Sequence, residues 1–147
     1  MANRMAKLLM VAASLAACGA TYAQQPSPEI ARFTFRQMSP KKELKHFAFE
    51  VRGKAGIDEL RAALANPSNA KRHVSGVIDQ HKATYNPEWS FHLIPETVRL
   101  FEMQIEVCDA NVTYVEEHLD EVGGSFLPKS FWCPWSSELE SEIPVRP

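Results

Sequence analysis

The side chains whose types and spacing could do chemistry are His92, Glu102, Glu106 and Asp109, together with two cysteines, Cys108 and Cys133. An imidazole and two or three carboxylates brought together can bind a divalent metal or act as an acid–base pair. Neither cysteine has a second cysteine three residues away, so neither a dithiol redox motif nor a zinc knuckle is signalled. A third cysteine, Cys18, sits apart in the amino-terminal stretch. The remaining two are an even number, and in an oxidising compartment they are expected to pair. A bridge closing a loop of about 25 residues contributes roughly 3 kcal/mol in the chain-entropy account. Two buried free thiols are the alternative, because cysteine is often simply buried. No HExxH, GxSxG or Gly-rich phosphate loop is present to support an enzyme, and no cofactor is implied.

These residues must be positioned by strands and helices that the hydrophobic pattern reveals. Phe33-Thr34-Phe35-Arg36 alternates as a half-buried strand should. Ser39-Pro40-Lys41-Lys42 reads as a turn, and Phe47, Phe49 and Val51 mark a second strand. Ile57, Leu60 and Leu64 recur at helical spacing, after Gly56 and before the stop at Asn66-Pro67. His73 to Asp79 is a third strand. Trp89, Phe91 and Leu93 alternate in a fourth that Pro95 ends. Phe101, Met103, Ile105 and Val107 alternate with Glu102, Gln104 and Glu106, the cleanest two-residue period in the chain. Asp109 or Asn111 can cap a helix carrying Val112, Val115, Leu119 and Val122, which Gly123-Gly124 would close. The expectation is an α+β fold: a mostly antiparallel sheet of about five strands, with two amphipathic helices packed on one face. Residues 125–147, with four prolines and little periodicity, read as an irregular tail pinned by the disulfide.

Parity then places the chemistry. If Met103, Ile105 and Val107 face the core, Glu102, Glu106 and Cys108 face away. If Trp89, Phe91 and Leu93 also face the core, His92 shares that outer face with Glu106. Adjacent strands lie about 4.8 Å apart, so the two side chains would meet. A solvated sheet face with cross-strand ion pairs would look the same in sequence and need no function. Trp132 and Trp135, flanking Cys133 and Pro134, are either a recognition rim or a cover laid on this face. Covering is favoured, because a large aromatic buries about 150–250 Å² and a small core needs area.

The chain has 147 residues, 45% hydrophobic, 10% aromatic and 23% charged, which fits one globular domain rather than a disordered tail. Met1 to Lys7 is basic, Leu8 to Ala17 is apolar, and small residues follow before Gln24. That order is a secretory signal, and its apolar run is too short to span a bilayer. Two cuts fit. One follows Ala23, with Thr21 and Ala23 as the small residues; the other resembles a lipobox at Leu15-Ala16-Ala17-Cys18 and would leave a lipid on Cys18. Residues 24–31 are then a linker and residues 32–147 the domain, either free in the periplasm, secreted, or tethered to a membrane. Losing Arg4 and Lys7 leaves 14 basic against 18 acidic side chains, a charge of −4, so there is no global basic field for nucleic acid. Residues 31–54 carry a local excess of +5 and residues 96–121 one of −7. Such runs are usually solvated faces, or they steer a charged partner.

Trp89-Ser90-Phe91-His92-Leu93, Phe101 to Ala110, Leu127-Pro128 and Trp132-Cys133-Pro134-Trp135 give the chain a specific likeness. It resembles a small secreted domain found in bacteria, and the amino-terminal domain of an amoebal calmodulin-binding membrane protein family. The likeness spans about Phe33 to Ile143 and brings no catalytic residues with it. The family name implies protein binding. Calmodulin normally engages a basic amphipathic helix; neither helix expected here is basic, so calmodulin is not the expected partner. The reading is therefore an exported binding module without catalytic activity. It would use Trp132, Trp135, His92 and Glu106 toward a protein or small ligand. The alternative is a metal-binding or hydrolytic site on His92, Glu106 and Asp109.

Overall fold

The computed structural model describes residues 29–66, 68–69 and 71–145. The leader, Cys18 and most of the expected linker lie outside these residues, as do Pro67 and Pro147. The chain forms β1 (Ile30–Met38), β2 (Leu44–Arg52), α1 (Lys54–Ala65), β3 (His73–Asp79), β4 (His92–Leu93) and β5 (Arg99–Phe101). There follow α2 (Val112–Glu117), a 3-10 turn (Leu119–Glu121), β6 (Val122–Gly123), β7 (Phe126–Pro128), β8 (Phe131–Trp132) and β9 (Glu138–Ile143). The fold is α+β with mostly antiparallel pairing. It is not one five-stranded sheet under two helices.

The first sheet has the order β2-β1-β9. β1 and β2 form a hairpin in register from Ile30–Arg52 to Met38–Leu44. It is closed at the expected turn, where the Lys42 N–H donates to Ser39 O. Alternation works as expected here: Phe33, Phe35, Phe47, Phe49 and Val51 all turn to one side and are fully buried. The other side is polar and cross-linked by charge, with Arg32 on Glu50 and Arg36 on Glu138, both within 2.8 Å.

The second sheet is built on β3. β4 and β5 lie along one edge of it, and β8 pairs with the other. Pro95, which has no N–H to donate, interrupts the edge strand between β4 and β5. The inner faces of the two sheets meet through aromatic rings. Trp132 sits edge-on to Phe35, Phe47 and Phe91 at 5.4–5.7 Å between centroids, and its indole N–H donates to Ala110 O at 2.9 Å. A second layer of strands therefore does the covering that the sequence pattern assigns to helices. Ile57, Leu60 and Ala63 of α1 close the side of this core.

Three departures from the sequence reading have physical causes. The expected fourth strand, Trp89 to Leu93, shrinks to His92–Leu93. Trp89 still reaches the core, from a loop, because its indole N–H finds His46 O at 2.8 Å. The second helix is six residues followed by a 3-10 turn. Asn111 caps it by accepting from the Thr113 N–H, and Gly123 takes the expected positive φ of 91° beyond it. The tail is not irregular: β9 completes the first sheet against β1. Its glutamates hide it in the sequence, because they gain stability from cross-strand partners such as Arg36 rather than from burial.

Candidate functional site

Cys108 and Cys133 form a disulfide with 5.1 Å between their Cα atoms. The bridge is one part of a seam. The Cys133 N–H donates to Cys108 O at 2.8 Å. The Asp109 carboxylate accepts from the Trp135 N–H at 2.9 Å. Phe101, Phe131 and the two half-cystines pack together as a small cluster beside the main core, and Trp135 sits edge-on to Phe101 at 5.9 Å. The seam thus fixes both ends of residues 102–107. Phe101 belongs to the second sheet and Cys108 is covalently held.

Between these ends the chain leaves the protein body. β5 stops at Phe101 because β3 begins at His73, the residue opposite, so among the described residues no strand lies against the alternating segment. Met103, Ile105 and Val107 are 74%, 95% and 83% exposed. The expectation that they face the core is overturned. With it goes the parity argument that puts Glu106 beside His92. Glu102 and Glu106 are exposed on the same loop. Three large apolar side chains together in water, on a segment anchored at both ends, are a feature that monomeric domains rarely keep without a use.

His92 lies elsewhere. It stands opposite Asp79 in the pairing of β3 with β4. Its Nδ1 is 2.7 Å from His81 O, and its ring meets Tyr85 edge-on. Asp79 is bound by His81, whose hydrogen bond holds the Asp79 carboxyl below its ordinary range, with His92 adding to the effect. Tyr85 lies under the Arg32 guanidinium, 4.6 Å from ring to carbon. Burial pushes its phenol up to about 12. Sequence reading misses Asp79, His81 and Tyr85 as neighbours of His92, since only strand pairing brings them there. Among the described residues no group of three or more His, Cys, Asp or Glu side chains could hold a metal ion. The trio His92, Glu106 and Asp109 is not assembled. Asp109 is engaged in holding the tail turn through Trp135.

The two tryptophans part company. Trp132 is fully buried and cannot form a rim, whereas Trp135 remains 38% exposed at the base of the apolar loop. A shallow cleft of about 300 Å³ lies on the surface between Lys45, Trp89, Thr113 and Glu116. Glu116 is already occupied there by the Ser90 hydroxyl at 2.6 Å and the Ser90 N–H at 2.9 Å. No helix among the described residues is long and apolar enough to cross a membrane.

An α+β domain of small, mostly antiparallel sheets, with one disulfide clamping its carboxyl segment beside an exposed apolar loop, is the class these observations define. The sequence profile of the BP-74 N-terminal domain matches residues 29–146, and the chain belongs to that family. No curated protein and no solved structure matches it significantly.

Proposed function

We propose that this chain is an exported binding module without catalytic activity, and that it meets its partner through the loop Glu102–Val107 with Trp135 at its base. The observation that carries this reading is the simultaneous exposure of Met103, Ile105 and Val107 on a segment tied down at Phe101 and Cys108. Anchoring at both ends lowers the ordering entropy that a free loop would lose on binding. Trp135 adds a large amphipathic surface of the kind enriched at binding centres. Glu106 remains part of this surface, while Trp132 serves the core and His92 belongs to the Asp79 network. Export is supported by the disulfide, which persists in oxidising compartments, and by the signal-like order of residues 1–23.

A photo-activatable cross-linking residue at position 105, introduced in a host that exports the protein, tests this. One discrete adduct is expected there, and none from the same residue at Lys82, an exposed position in the loop between β3 and β4. Equal labelling at both positions, or none at 105, would remove the loop as the contact surface.

A further inference from the structure

We infer that residues 102–107 capture their partner by strand pairing, and that the partner supplies an extended segment alternating basic and apolar side chains. This rests on the loop being the contact surface and names what that surface takes.

The main chain makes the first part of the case. Every residue other than proline carries one backbone donor and one acceptor that need partners when buried. Among the described residues, the only backbone hydrogen bond drawn from this segment is that from the Cys108 N–H to Glu106 O. Among the described residues, Glu102 to Gln104 and Val107 take part in no other backbone–backbone hydrogen bond. The segment also directly continues β5, whose own partner ends at His73. It has the sequence of a strand, bends at Glu102 and again at Glu106–Val107, and among the described residues has no strand beside it. Such an edge is a template for an added strand.

Side-chain chemistry decides what is added. In extended form Met103, Ile105 and Val107 share one face, and Glu102, Gln104 and Glu106 share the other. Covering the first face takes apolar side chains at alternate positions. The second face carries two carboxylates. Residues 96–121, which contain the segment, hold eight acids against the single cation Arg99. Pairing with a second copy would place four glutamates on one face of a ribbon with no cation between them. An anionic lipid surface would be repelled by the same charge. Lysine or arginine at the alternate positions of the added strand converts both carboxylates into cross-strand ion pairs.

The probe is a synthetic peptide alternating Lys and Val, mixed with the mature domain and read by amide hydrogen exchange. Slowed exchange is expected at residues 102–107, with binding that weakens as salt is raised. Ile105→Lys, at a position almost wholly in water, should leave the fold intact and weaken binding about tenfold or more. A Glu–Val peptide should not bind. A Lys–Val peptide N-methylated along one edge should lose protection, since it keeps the side chains but not the donors. Equal protection by the N-methylated or the Glu–Val peptide would overturn strand pairing or the charge assignment. Protection that appears with protein concentration alone would put a second copy in the site instead, and protection by vesicles a lipid surface. A cross-link adduct at position 105 without peptide protection would leave the contact surface standing and remove only this inference; loss of both would remove the two together.

Discussion

Two stretches of this chain look alike as strings of letters and end in opposite environments. Phe33-Thr34-Phe35 and Phe47-Ala48-Phe49-Glu50-Val51 alternate apolar and polar, and their apolar members are fully buried against Trp132. Phe101 to Val107 alternates at least as cleanly, and beyond Phe101 its apolar members stand in water. Each stretch has a face. Only the hairpin has something to set the face against. Periodicity records that a segment can be a two-sided strand; it does not record whether the same molecule supplies the second side. In the hairpin it does, through β8 and Phe91. In the loop, among the described residues, it does not, because β3 starts at His73.

The comparison predicts unequal responses to substitution. Trp132→Ala should be the most damaging, by about 3–5 kcal/mol in denaturant unfolding, because it empties the centre of an aromatic cluster that cannot collapse to fill the space. A loss below about 1 kcal/mol would mean that the sheets are not held together there. Next is the clamp. Replacing Cys108 and Cys133 together by Ser should cost about 2–4 kcal/mol. It should also speed amide exchange selectively from Cys108 to Ser137 while β1 and β2 stay protected. Uniform acceleration along the chain would instead make the bridge part of the main core.

The polar border of the core offers a third test, through pH. Because the folded-state Tyr85 phenol titrates near 12, above its usual value of 10.0, the folded state holds its proton where the unfolded chain has lost it. The stability this contributes is complete below about pH 10 and is lost as pH rises toward 12. Phenolate absorbance should show one late-ionising tyrosine, absent in Tyr85→Phe. If the variant leaves the late transition in place, the group beneath Arg32 is not the one titrating. The smallest expected effect on stability is Ile105→Ser, within about 0.5 kcal/mol because the side chain touches so little. The same change should abolish the adduct formed by a cross-linker placed at position 103. A large loss of stability would show the loop to be packed after all, and would erase the contrast between the two stretches.

Legibility in the sequence follows the same division. The hairpin strands, α1, β3 and the Cys108–Cys133 pairing rest on local pattern or on simple counting, and pattern finds them. β9 reads as irregular because its stability comes from Arg36 and Thr34, about a hundred residues away. The candidate site is misassembled from sequence for a related reason. Parity places His92 and Glu106 on one face only if Phe101 to Val107 pairs throughout, and the pairing ends at its first residue. Asp109 looks like a ligand by its carboxylate alone, and no rule of spacing reveals that the carboxylate meets the Trp135 N–H.

What the sequence determined unaided was each segment's character: which residues dislike water, with what period, where the chain turns and which two sulfurs pair. Those are properties of short windows and of composition, and physics acts on them wherever the segment ends up. Which faces met, which tryptophan went inside and which apolar strip was left outside were decided only on folding. They depend on how many strands stand beside a given edge, and that number exists only once distant parts of the chain have been brought together.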